Sequence, residues 1–495
     1  MGIVAKQSFY NIISILIAFA IGAVNTVIFY PRFLGEAFFG LIVILLAESN
    51  ILQPIFSFGL QHTLIKYFSA TDDHREKDKL LWFSILIPIG VIFPSGILFF
   101  LNYDAIGHYL ATENPLIADF IYLIFLIAIS TAYFEIFLSW VRVQKKTIVG
   151  NFLKEVYQRV LISLLLLLYA FQWIDIQGFI YGIIIGYYLR LLIIMAYSLS
   201  LYRPVLIFEL PKNYRQLIGY SALIFLSAFG ASIIIDIDSA MLGKLVETKY
   251  VAYYKVAIFI AVIIDAPGRA MFQIVSPLVA EALNNDNKKE LESLLKKSST
   301  SLFLVAGLIF LLINANIDEI YKLIAFLNGN ESFALAIPVV LMISTSKLFT
   351  AVLGCLNNII TNSKYFYFVP FFSIGSAVAV IYLNIVLIEQ FGFMGAALAT
   401  LTVISVFNLV KLLFVMRWFN IHPFAKETIY LLILIVFLYF GFSNVSIGFT
   451  PTIDILIKSV GITLIYLSVS YFTKLSSQVN RFIDNILKTI RSAIG

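Results

Sequence analysis

An all-α polytopic membrane protein is the fold class this sequence predicts, and three observations predict it. Hydrophobic residues make up 61% of the 495 and charged residues 13%, with mean hydropathy +0.96. A soluble domain of this size could not bury that much apolar surface. Apolar windows of roughly 20 residues, each long enough to cross a bilayer as a helix, recur along the whole chain. The basic residues between those windows fall almost wholly on alternate loops.

In chain order, about fourteen spans are predicted: 8–30, 38–60, 81–101, 115–139, 152–172, 178–200, 215–238, 250–270, 298–315, 332–355, 365–388, 391–415, 427–443 and 453–472. The first is too long for the apolar core of a signal peptide and runs straight into Pro31-Arg32, so it is expected to stay in the protein. The second carries Glu48, and the fifth and sixth carry Arg159 and Arg190. The seventh and eighth depart most from a lipid-embedded composition: Asp236 and Asp238 lie toward the end of one, and Lys255, Asp265 and Arg269 along the other. The tenth holds Lys347. Lys154, Lys411 and Lys458 sit nearer span ends, where long side chains are expected to snorkel to the interface.

With the N-terminus placed inside, 22 Lys and Arg residues fall on inward segments and 4 (Arg32, Lys244, Lys249 and Lys322) on outward ones. This bias predicts cytoplasmic termini and an even number of crossings. The connecting loops are too short for a separate catalytic domain, so a transporter is expected and an enzyme is not. The tail 474–495 places Val479, Phe482, Ile483, Ile486, Leu487 and Ile490 at helical spacing among basic residues, which suits a helix on an anionic membrane surface. One cysteine, Cys355, and four histidines without metal-ligand spacing point to no disulfide framework, bound metal or cofactor. The net charge of +6 is spread over short loops and reports topology, so no nucleic-acid partner is expected.

An internal repeat organises the spans. Leu34-Gly35 and Leu242-Gly243 are offset by 208 residues, and each precedes an aromatic pair, Phe38-Phe39 or Tyr253-Tyr254. Gln177-Gly178 and Phe391-Gly392 are offset by 214. These echoes predict a lobe over 1–212 (helices 1–6), a second over 213–420 (helices 7–12), two appended helices over 421–473, and the tail. Six helices per repeat give the lobes the same membrane orientation, so they can rock about a central site.

Ionisable side chains at membrane depth cost at least a few kcal/mol each and normally face a cavity or a partner. Arg159, Arg190, Lys255, Arg269 and Lys347 outnumber Glu48, Asp236 and Asp265, an excess of two positive charges that points to an anionic substrate. Arg190, Lys255 and Lys347 are the leading candidates to contact it, followed by Arg159 and Arg269. Asp236, Asp265 and Glu48 are candidates to take up a coupling H+ or Na+. Asp265 and Arg269, at i,i+4, are spaced to pair on a continuous helix. Lys255 and Arg269, four turns apart, are spaced to share a face. Pro267-Gly268 between them is expected to bend the helix.

Pro31-Arg32-Phe33-Leu34-Gly35 with Phe39-Gly40, Leu242-Gly243 leading to Tyr253-Tyr254-Lys255, and Phe391-Gly392-Phe393-Met394-Gly395-Ala396-Ala397 resemble the polysaccharide transporters of the multidrug/oligosaccharidyl-lipid/polysaccharide superfamily, within it the Wzx-type flippases of O-antigen or capsule units. The resemblance implies two six-helix lobes in a V shape, often with two further helices. It also implies movement of an undecaprenyl-diphosphate-linked oligosaccharide between leaflets of a bacterial or archaeal cell membrane, with membrane lipids and polysaccharide polymerase machinery as candidate partners. Alternatives within the superfamily are an H+- or Na+-coupled multidrug antiporter, which favours an acidic cavity, and a lipid II flippase. A glycosyl polymerase or ligase would need a large outward catalytic loop that this chain lacks, and a scaffold would not account for charges on so many helices.

Overall fold

The computed structural model describes residues 14–207, 209–445 and 447–475, together with Asn480 and Asp484. The described residues form helices and turns and no strand, and twelve helices among them are long and apolar enough to cross a membrane. Eleven of the predicted windows coincide one to one with such helices, from His74–Leu101 to Pro451–Phe472. The count departs from fourteen at two places. Windows 8–30 and 38–60 form one helical run, Ser14–Ser57, in which a π-helix, Val24–Leu34, carries the chain through Pro31 to Gly35 at φ 72°. Its wider turns accommodate a residue without an N–H donor. Window 152–172 consists of three pieces, Thr147–Phe152, a π turn Leu153–Tyr157, and Gln158–Ala170. Of the tail 474–495 only Lys474, Leu475, Asn480 and Asp484 are described, and the apolar residues on which the helical reading rests lie outside the described residues.

The chain packs as two units. The first comprises Met1–Lys255 and Ser373–Phe393. At its centre, Gly35–Ser57 packs against Tyr214–Leu245 on one side and Ile121–Val143 on the other. Helices in lipid gain little from excluding water from each other, so small residues and interhelical hydrogen bonds bring them together. A Cβ on Gly40 would lie 1.9 Å from the Thr248 carbonyl oxygen, and one on Gly243 would lie 2.6 Å from Ile44 Cγ1. Asn114 donates to the carbonyls of Gly243 (2.6 Å) and Val246 (2.9 Å) and accepts from the Thr248 N–H (2.8 Å). The residues of the sequence echo thus have different backbones: Gly35 is left-handed, whereas Gly243 is helical and tightly packed.

Tyr202, Val205, Glu209 and Lys212 of this unit tie the chain to the start of His74–Leu101. Asp78 accepts from Tyr202 Oη (2.7 Å) and the Val205 N–H (3.2 Å), Trp82 Nε1 donates to the Val205 carbonyl (2.9 Å), and Glu76 accepts from the Lys212 N–H (3.1 Å). Glu209 pairs with Lys79 at 2.8 Å and Arg75 at 2.7 Å, and these cations hold its carboxyl below the usual glutamate range. A depressed carboxylate contributes its stabilisation above the unfolded value and loses it as pH falls through the folded one.

The second unit comprises Val256–Phe372 and Met394–Gly495. Lys288–Asn314 is its axis, packed by Ala266–Asn284, Ile337–Val352, Lys426–Ser443 and Pro451–Phe472. Tyr466 Oη donates to the Leu304 carbonyl (2.9 Å) beside Gly307, where a Cβ would lie 2.4 Å from Ile435 Cδ1. Lys458 does not snorkel as its position in the sequence suggests. It is 2% exposed and donates to Glu319 at 3.1 Å, because a carboxylate on Ile317–Asn328 lies within its reach.

Two outcomes follow. Glu209→Gln should raise protease cleavage within 202–213 at neutral pH, whereas the unsubstituted protein should show that sensitivity only when pH falls below the usual glutamate range; limited proteolysis across a pH series reads both. Lys458→Met, which strands a buried carboxylate, should cost about 3–5 kcal/mol. Thermal unfolding in detergent should show that loss, and adding Glu319→Gln should recover most of it.

Candidate functional site

Pro267 sets up the site. Without an N–H it cannot continue the hydrogen-bond ladder, and the chain tightens to a 3-10 turn at Val262–Asp265 between Thr248–Ala261 and Ala266–Asn284. The turn presents Asp265, and the first turns of the next helix present Arg269 and Phe272. Ile337–Val352 brings Lys347 and Thr350 to the same place, followed by Gly354 at φ 59°. Together they line a cavity of about 470 Å³ within the second unit, floored by Leu302 and Ala306.

Lys347 Nζ lies 2.9 Å from Asp265 Oδ2. The side chains are 23% and 30% exposed, so the pair is reachable and partly desolvated. The expected Asp265–Arg269 pair is not seen: Asp265 belongs to the 3-10 turn, and the i,i+4 alignment of a continuous α-helix is lost across it. The face that Lys255 and Arg269 would share on an unbroken helix is interrupted by the same turn. Arg269 is exposed on the cavity and forms no ion pair among the described residues. Thr350 Oγ1 accepts from Asn408 Nδ2 at 2.9 Å and donates to the Ser346 carbonyl at 3.0 Å, which fixes a hydroxyl at the cavity wall. Sequence reasoning missed Thr350 and Asn408, since neutral polar residues in apolar spans carry no charge signal.

The remaining candidates lie in the first unit. Arg190 is 2% exposed, with its guanidinium 4.0 Å from the Phe134 ring centroid and 4.9 Å from that of Tyr187. Its Nε and Nη2 have no hydrogen-bond acceptor, so the aromatic faces supply its main electrostatic contact. Arg159 pairs with Glu155 at 3.3 Å, as its i,i+4 spacing suggests, and also donates to the Glu155 carbonyl. Asn25 on the facing π-helix donates to the Arg159 carbonyl at 2.8 Å. Asp236 accepts from Asn50 and interacts electrostatically with Lys255. Its neighbour Asp238 points elsewhere and is buried, accepting from Tyr254 Oη at 2.5 Å and Asn384 Nδ2 at 2.8 Å. Glu48 is half-buried on Gly35–Ser57. Of the eight candidates, the structure therefore gathers Asp265, Arg269 and Lys347 around one cavity, and Asp236 is within electrostatic range of Lys255.

The polysaccharide biosynthesis protein family matches residues 4–283. A curated relative, the probable low-salt glycan biosynthesis flippase Agl15 of Haloferax volcanii, is 25% identical over 227 residues, which is 46% of either chain. The match thus spans about half the length of that relative. Among solved structures, the lipid II flippase MurJ in an inward closed conformation has a TM-score of 0.70 at 16% identity, covering 95% of this chain and 100% of that one. An inward-facing multidrug resistance MATE family transporter of the MOP superfamily has a TM-score of 0.63 at 13% identity, covering 84% and 94%. At these identities the likeness establishes a MurJ- and MATE-like fold.

Accessibility tests the cavity directly. Cys355 is 4% exposed and should react slowly with a membrane-impermeant charged maleimide. Arg269→Cys in a Cys355→Ser background should label rapidly, as read by mass shift. Equal rates would mean that water does not reach this wall.

Proposed function

This chain belongs to the polysaccharide biosynthesis protein family, and on that footing we propose that it is a flippase moving a polyprenyl-diphosphate-linked oligosaccharide from the inner to the outer leaflet of the cell membrane. The observation that carries the reading is the unit-two cavity, where a reachable Lys347–Asp265 pair and an exposed Arg269 sit in apolar helices. Arginine offers a planar fork that matches phosphate oxygens, and lysine a compact charge that can follow a moving anion. A diphosphate entering here meets Arg269 first and then competes with Asp265 for Lys347. Once Lys347 turns to the phosphate, Asp265 loses its counter-ion and is poised to take up H+ or Na+. Substrate and coupling ion are thereby linked through one carboxylate.

Asp236 and Lys255 are near enough in the other unit to interact electrostatically, without forming an ion pair like that of Lys347 and Asp265. The 3-10 turn before Pro267-Gly268 is where the helix can bend as access alternates. Cytoplasmic termini, read from the loop charges, put the basic loops on the side where the lipid-linked substrate is assembled. Polysaccharide polymerase machinery would then receive the product on the other side. Fold neighbours among multidrug transporters keep the antiporter in view, but an acidic cavity would suit organic cations better than this one.

The test uses purified protein in liposomes with a fluorescent polyprenyl-diphosphate oligosaccharide and follows its transfer between leaflets. Charge-assisted hydrogen bonds are worth about 1.5–3 kcal/mol, so Lys347→Gln or Arg269→Gln should slow transfer roughly 10–100-fold. Unchanged transfer in both variants overturns the site. No transfer by the unsubstituted protein, together with ion-driven efflux of ethidium, establishes the antiporter instead, and transfer restricted to lipid II establishes the lipid II flippase.

A further inference from the structure

A second cavity of the second unit, about 430 Å³, lies between the loop 284–288, the turn 362–365 and the end of Phe393–Phe419. The loop-charge bias reads this end as cytoplasmic. Two features of its lining suit an anion. Arg75 and Lys79 are tied to Glu209, and Lys296 to Glu292, whereas Lys288 and Lys364 line this cavity and form no ion pair among the described residues. Asp286 also lines it, which leaves one net positive charge. The second feature is a rigid aromatic wall. The Tyr365 ring lies 5.0 Å from Trp418, 5.8 Å from Phe414 and 5.7 Å from Phe419, and Lys364 Nζ lies 5.3 Å from the Tyr365 ring centroid.

We propose that this cavity binds the phosphate of an anionic phospholipid headgroup. Lysine ammoniums supply charge and donors to the phosphate. An amphipathic indole, 54% exposed at Trp418, belongs at headgroup level. The adjoining Phe366, Tyr367 and Phe371 are 53%, 46% and 69% exposed and give the acyl chains an apolar surface to follow. Cation, aromatic ledge and exposed apolar residues adjoin along 364–371, the three chemistries that the phosphate, glycerol and acyl chain of a phospholipid need. The inference is independent of what the chain transports, because it needs only a membrane containing anionic lipid.

Native mass spectrometry of the full-length protein, titrated with phosphatidylglycerol, phosphatidylcholine or inorganic phosphate, tests it. Each basic residue near an anionic surface contributes about 1 kcal/mol, so Lys288→Gln with Lys364→Gln should weaken the tightest phosphatidylglycerol site about thirtyfold and leave phosphatidylcholine binding unchanged. Each single variant should weaken it about fivefold, which keeps the test open if the double variant is unstable. Equal phosphatidylglycerol affinity in the variants overturns the site. Binding of inorganic phosphate that displaces phosphatidylglycerol at equal concentration assigns the cavity to a free anion and overturns the headgroup.

Discussion

The close approach of Gly35–Ser57 and Tyr214–Leu245 is the contact on which the first unit depends. Gly40 lies against the Thr248 backbone and Gly243 against Ile44, and neither site has room for a Cβ. Asn114 then satisfies two carbonyls and one N–H where the chain turns from Tyr214–Leu245 into Thr248–Ala261. In a membrane, where an unmet backbone group has no water to turn to, this side chain determines whether the turn can be buried at all. The contact also fixes the direction of the carboxylates one to two turns away. Asp238 is held by Tyr254 and Asn384, and Tyr253 Oη donates to Glu36. Asp236, two residues earlier, is thereby turned toward Asn50 and Lys255.

The break at Val262–Asp265 plays the corresponding part in the second unit. On an unbroken helix Asp265 would be spaced to pair with Arg269, leaving Lys347 without its counter-ion. Pro267 shortens the repeat and takes Asp265 to Lys347, and Arg269 is left facing the cavity. A single imino acid therefore determines which cation is neutralised and which is available. The cost is local, because Ala266–Asn284 resumes at once and packs on Lys288–Asn314.

The helices were legible because their signal is composition over many residues, which no single contact can override. Eleven windows needed no structure to be placed. The exceptions were π turns, where Pro31 or the polar Lys154-Glu155 interrupts a window and hydropathy reads one helix as two or three as one. Charge placement was legible only in part. Glu155–Arg159 depends on local spacing and was visible, whereas Lys347–Asp265 and Lys458–Glu319 join residues 82 and 139 apart and depend on packing. The motif glycines stood out in sequence, but their shared role at one crowded contact could not be seen without coordinates.

These pairings change what an excess of intramembrane cations means. Taken along the chain, five basic and three acidic side chains suggest a cavity with a net positive field. In three dimensions Lys347 is matched by Asp265 and Arg159 by Glu155, and Arg190 is buried against Phe134 and Tyr187, where no solvated anion can reach it. With Lys347 matched by Asp265, the net positive charge lining the cavity of the second unit comes from Arg269. A site with one available arginine beside a lysine held by a carboxylate is suited to capture followed by release. Tight binding would come from two free cations, but on the proposed flippase reading a carrier must also let go, and Asp265 would supply the competing anion.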